Sequence, residues 1–111
     1  MNSWCLVGRL TRSPEIRVPK EKAVCTFSIA VNRPFKRDEA DFFDCVSFGK
    51  TAEIIADNFD KGKQIAITGR GQQERWEKDG QKRSKVVFVV DTFDFVGDKK
   101  SLSEEAEEIF S

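Results

Sequence analysis

The residues best suited to chemistry in this chain are rings and cations rather than acids and bases. Ten Phe and two Trp occur in 111 residues, with no Tyr and no His. The absence of His removes the commonest general base and the commonest zinc ligand. Phe27, Phe59 and Phe88 fall on apolar faces and are read as core. Phe35 stands in a polar stretch and is followed by Lys36 and Arg37. Trp76 follows Arg75 and precedes Lys78, with Lys82, Arg83 and Lys85 on the next segment. Exposed rings beside cations can stack unpaired nucleobases while the cations follow a phosphate backbone. The same mixture also suits a protein interface, where Trp and Arg are favoured. Phe42 and Phe48 share a strand parity and Phe43 has the opposite one. One set faces the core and the other solvent, and spacing leaves open which. Trp4 is equally open between core, subunit interface and stacking platform.

Two glycine motifs are decoys. Gly49-Lys50-Thr51 sits between a strand pattern and a helix pattern, as a phosphate-binding loop would, but the required earlier glycine is Asp44. Gly69-x-Gly71 lacks its third glycine, Glu74 standing there, and lies mid-strand, which points to a bulge or bend. The carboxylates show no spacing that specifies a catalytic pair and read as a solvated surface. No enzyme and no cofactor is expected. Cys5, Cys25 and Cys45 lie twenty residues apart without a C-x-x-C spacing, so no metal site is expected. All three are read as buried, reduced thiols.

The elements that must position these residues are mostly strands. Strands are expected at about 3–10, 15–18, 23–33 and 42–48. Residues 34–41 read as a charged loop. Ala52, Ile55, Ala56 and Phe59 form one apolar helix stripe over 51–60, with Thr51 as N-cap and Gly62 as the left-handed residue after the helix. Long strands follow at about 63–76 and 82–96, joined at Asp79-Gly80, a two-residue hairpin signal. Five principal strands with a helix between the third and fourth match the all-β OB-fold, a five-stranded Greek-key barrel.

The formal charge is zero, but it is divided. Residues 1–97 hold 17 Lys+Arg and 14 Asp+Glu, giving +3, whereas residues 98–111 hold 2 and 5, giving −3. The expected organisation is one domain over 1–97 and a short, disordered acidic tail over 98–111. No apolar run is long enough to cross a membrane and no secretory signal is evident at the start. A cytoplasmic location, in a bacterial cell or a phage-infected host, is expected.

The segment Cys5-Leu6-Val7-Gly8-Arg9-Leu10-Thr11-Arg12-Ser13-Pro14-Glu15-Ile16-Arg17 resembles the opening of the bacterial and phage single-stranded DNA-binding protein family. Phe27 to Phe35 (FSIAVNRPF), Phe42 to Lys50 (FFDCVSFGK) with Thr51-Ala52-Glu53, Lys61-Gly62-Lys63 and Thr68-Gly69-Arg70 continue the resemblance in order and spacing. It implies an OB-fold, a homotetramer, and sequence-independent binding of single-stranded DNA in replication, recombination and repair. By position it implies stacking on Phe35, Phe42, Phe48 and Trp76. It implies phosphate contacts from Arg9, Arg12, Arg33, Lys36, Lys50, Arg70 and Arg75, and more weakly from Lys78, Lys82 and Arg83. The tail, with Glu107, Glu108, Ile109 and Phe110, would bind replication or repair proteins or compete for the basic groove. It departs from the family's pattern: the long linker is nearly absent, the proline before the terminal ring is missing, and Ser111 follows the ring. The short length suggests a phage or mobile-element version. The rival readings are an OB-fold interaction subunit of a primosome-like replication assembly and a nucleotide-dependent enzyme.

Overall fold

Period-two alternation builds a closed sheet. The computed structural model describes residues 1–96. Its strands are β1 (Trp4–Leu10), β2 (Glu15–Arg17), β3 (Val24–Arg33), β4 (Lys36–Phe48), β5 (Gln64–Lys78) and β6 (Gln81–Phe95), with one α-helix, α1 (Gly49–Asn58), between β4 and β5. The sheet runs in the order β1-β5-β6-β4-β3-β2, and a further β1–β3 pairing closes five of the strands into a barrel. The short β2 hangs on the outside of β3. This is the expected OB-fold barrel, with the helix between its third and fourth principal strands.

The inward residues are those whose parity the sequence marks as apolar. Leu10, Cys25, Phe27, Ile29, Cys45, Ile65, Ile67, Phe88 and Val90 fill the barrel. Ala52, Ile55 and Phe59 of α1 are buried in the same cluster, so the helix stripe closes one end. Ser47 is buried among them, and its hydroxyl donates to the Cys25 carbonyl at 3.4 Å. Two register features are local. Between Thr68 and Gly69 the β5–β6 ladder shifts because Asp91 on β6 has no partner, so the irregularity expected at Gly69 is a bulge in the strand that faces it. Asp79 and Gly80 both have positive φ, 54° and 77°, the backbone of a primed two-residue hairpin turn.

Several expectations are corrected. Residues 34–41 are not a loop. β4 begins at Lys36, and only Pro34 and Phe35 form the turn from β3. This part of the ribbon extends past the core, so charged residues occupy both its faces and the alternation that marks a half-buried strand is absent. The helix starts at Gly49, not Thr51, with Phe48 as N-cap and no side-chain cap. It ends at Asn58 with Phe59 as C-cap, so Gly62, at φ 88°, belongs to the following turn rather than to the helix end. Cys5 is exposed on the outer face of β1; only Cys25 and Cys45 are buried. Residues 97–111, and with them the acidic tip Glu107, Glu108, Ile109 and Phe110, lie outside the described residues.

Candidate nucleic-acid interface

Strand register decides which residues share a face, because directly opposed residues point the same way. Trp76 on β5 opposes Arg83 on β6, Glu74 opposes Lys85, Gln72 opposes Val87 and Arg70 opposes Val89. Val89 pairs with Val46 of β4. Val46, Asp44, Phe42 and Phe48 share that face, opposite Thr26, Ser28, Ala30 and Val24 of β3. Arg17 of β2 pairs with Val24, and Arg9 of β1 pairs with Ala30. One outer wall of the barrel therefore carries Trp76, Phe42 and Phe48, with Arg9, Arg17, Arg70, Arg83 and Lys85 among them. Phe43, of opposite parity, turns inward and packs edge-on against Trp4 at 6.5 Å between ring centroids.

The rings on this wall are open. Phe35 is 97% exposed at the β3–β4 turn, Phe42 71%, Phe48 43% and Trp76 42%. Such exposure of large apolar rings on one side of a small domain marks a contact surface. Lys22 lies over the Phe48 ring, 5.7 Å from its centroid, close enough for a cation–π contact. Trp76 borders two surface cavities. One of about 450 Å³ is lined by Gln73, Arg75, Glu77, Lys82, Arg83 and Ser84 together with the ring. The other, about 390 Å³, is formed by Glu74, Arg75, Lys85 and the ring. Glu74 and Lys85 also line a cavity of about 290 Å³ that reaches Arg12, Thr26, Asp44 and Val87. Thr26 in turn borders a further depression with Glu15, Arg17, Pro19 and Val24. Cations thus follow one another from Trp76 on the β5–β6 arm to Arg17 on β2.

The expected cations are not equivalent. Arg12, Arg70, Arg75, Lys82 and Arg83 lie on or beside this track. Arg70 and Arg75 each donate to a glutamine on their own strand, Gln72 at 3.5 Å and Gln73 at 3.0 Å. Lys78 is at the far end of the arm, opposite Gln81. Lys50 is exposed on the first turn of α1. Arg9 donates to the Gly62 carbonyl at 3.0 Å. Arg33 is held by Asp41 and Glu39, and Lys36 lies 3.9 Å from Glu39. Sequence reasoning missed Arg17 and Lys22 as members of the wall, and placed Lys85 beside Trp76 without naming it a phosphate contact. The hairpin register that Asp79-Gly80 fixes puts Lys85 on the same face as that ring. Lys22 is brought to Phe48 by chain folding alone and has no sequence signal.

Acid groups also stand on the wall. Ser28 donates to Asp44 at 2.7 Å, and Lys85 lies 3.7 Å from the same carboxylate. Among the described residues no group of three or more His, Cys, Asp or Glu could hold a metal ion, and no helix is long and apolar enough to cross a membrane.

The model of the single-strand binding protein family matches residues 1–96. The chain belongs to that family. It is 46% identical over 99 residues to a single-stranded DNA-binding protein of Clostridium perfringens, covering 86% of this chain and 66% of that protein. It is 44% identical over 110 residues to one of Fusobacterium nucleatum, covering 93% of this chain and 71% of the relative. With one of Treponema pallidum the identity is 41% over 103 residues, covering 87% and 58%. The chain thus spans from under three fifths to somewhat over two thirds of the length of these relatives. Family membership accounts for the OB-fold barrel and for the order of its elements.

Proposed function

We infer that this chain binds single-stranded DNA without reading its sequence, by stacking bases on Phe35, Phe42, Phe48 and Trp76 and neutralising phosphates with the neighbouring Lys and Arg. The observation that carries this reading is the shared outer wall: three of the four rings stand on one face, open to solvent, with arginines and lysines between them. Every base has a flat face, so stacking is indifferent to sequence, while a duplex keeps its bases stacked inside and cannot use such platforms. No chemical step is involved, and the function is occupancy of strands exposed in replication, recombination and repair, in the cytoplasm.

Assembly into a homotetramer is part of the proposal. Among the described residues, Trp4–Gly8 of β1 pair on one side only, with β5, and Cys5 and Val7 are exposed beside that open edge. An unpaired strand edge with exposed apolar neighbours is a template for a second copy. The acidic tip at Glu107, Glu108, Ile109 and Phe110 is proposed, from sequence alone, to engage replication or repair proteins.

The test is a fluorescence titration of the chain with oligo-dT over a series of salt concentrations. Trp76→Ala is expected to weaken binding by about 1–3 kcal/mol. The logarithm of the binding constant should fall linearly with the logarithm of salt concentration, by about 0.7 per phosphate neutralised. Undiminished affinity in the variant would remove Trp76 from the site, and a flat salt response would contradict the phosphate contacts.

A further inference from the structure

The β3–β4 arm carries Phe35 at its turn and Phe42 on its outer face, and its backbone ladder is interrupted. Asn32 pairs with Ala40, but the next residue, Arg33, pairs with Lys36, leaving 37–39 outside the ladder. Side chains span this gap. Arg33 Nε donates to both Asp41 carboxylate oxygens at 3.2 and 3.3 Å, and Nη2 donates to Oδ1 at 2.9 Å. Its remaining nitrogen, Nη1, donates to Glu39 at 3.2 Å. All three guanidinium nitrogens are thus committed within the arm.

The direction of this cluster also matters. Asp41 opposes Val31, and Val31 and Phe43 pack against the core, so Asp41 belongs to the inward parity. Phe42 opposes Ala30 on the other face. The Arg33 guanidinium therefore sits across the ribbon from the ring that would stack a base. Arg33, Lys36, Glu39 and Asp41 together carry no net charge, so the cluster offers a phosphate little attraction. Hydrogen bonding to Asp41, and then the charge of Asp41, hold the Arg33 guanidinium more firmly protonated than usual.

We propose that Arg33 is a positioning residue: it clamps β3 to β4 across the break in their ladder and so holds Phe35 and Phe42 ready for stacking, rather than contacting phosphate. Resting on the single-stranded DNA reading, this assigns to Arg33 a role different from the one its position in the family pattern implies. A lone exposed ion pair contributes little. A planar guanidinium gripping a carboxylate through two donors instead fixes a geometry, and Lys cannot reproduce that fork. Holding the arm in one arrangement lowers the ordering cost when DNA binds.

The experiment compares Arg33→Lys, Arg33→Ala and Asp41→Asn in the full chain by oligo-dT titration across salt, with thermal melting to confirm that each folds. All three are expected to weaken binding about fivefold, a fraction of one stacked base, with the salt slope unchanged. In a Phe35→Ala background part of that loss should vanish, because the clamp then has only Phe42 to hold. The proposal is overturned if Arg33→Lys binds like wild type, Arg33→Ala lowers the slope by about 0.7, and Asp41→Asn binds more tightly, the signature of a phosphate contact. Failure of the wild-type chain to bind oligo-dT would overturn the functional reading instead. The clamp is then judged by amide exchange over residues 34–42, which Arg33→Lys accelerates if the clamp exists and leaves unchanged if it does not.

Discussion

Trp4 and Gly71 make one joint feature of the barrel wall. A Cβ on Gly71 would collide with the Trp4 ring, and Asn2 ties the same residue through both its backbone groups, donating to the carbonyl at 2.6 Å and accepting from the N–H at 3.1 Å. The ring also packs against Phe88, 5.8 Å between centroids. Trp4 is thus a partly buried structural ring, which resolves a position the sequence left open, since no spacing within β1 reports a neighbour on β5. Gly71 faces inward, opposite Phe88, and lacks a side chain for this packing reason. The thiols lead to a prediction at the same scale. Burial first, and then the neighbouring Asp44 charge, push the Cys45 thiol up to about 12, and burial raises that of Cys25. An unfolded thiol titrates at about 8.5. Between those values the unfolded chain has released protons that the folded chain retains, so stability falls as pH rises. The urea midpoint should drop on going from pH 7.5 to 9.5, by about 1 kcal/mol of stability for Cys45, and Cys45→Ala should flatten that dependence. In native protein at pH 8 a thiol reagent should spare Cys25 and Cys45, which react only after unfolding.

Elements were legible where one face is buried. β3 alternates because Cys25, Phe27 and Ile29 enter the core while Thr26 and Ser28 face out, which is why a strand was expected at about 23–33. The β5–β6 turn was legible because Asp79 and Gly80 are the residues that tolerate its positive φ. The start of β4 was not, since a ribbon exposed on both sides needs no alternation and its charges mimic a loop. The beginning of α1 was hidden for another reason: it uses no side-chain cap, so no Ser, Thr, Asp or Asn marks it. A prediction belongs to the β5–β6 arm, where Gln72–Lys78 and Gln81–Val86 are exposed throughout. Gly80→Val places a β-branched residue at φ 77°, costing about 1–2 kcal/mol locally. Because the arm stands outside the core, hydrogen exchange should rise at its tip while the melting temperature stays close to wild type. A large fall in melting temperature would show that the arm supports the barrel.

For the whole molecule, the four rings that matter and the strands that carry them are assembled from distant segments, and this decides what sequence could and could not show. Parity predicted that Phe42 and Phe48 share a face, and register adds Trp76 and Arg83 to it through the β4–β6 seam. That seam consists of Cys45 with Phe88 and Val46 with Val89, a parallel contact that no local pattern announces. Mass measurement in solution, with and without oligo-dT, should give four copies of the chain in both states. A monomer that binds normally would remove the open β1 edge as an assembly surface. The seam has one further consequence, for biosynthesis. The barrel is shut by the last strand described, so a ribosome must release the chain beyond Val89 before β4 gains its second neighbour. Until then the nascent polypeptide carries β1 to β4 as an unfinished curl with apolar residues bare. Closure must therefore await the last of these strands, and pairings this remote along the chain are slow to find, on the order of milliseconds to seconds.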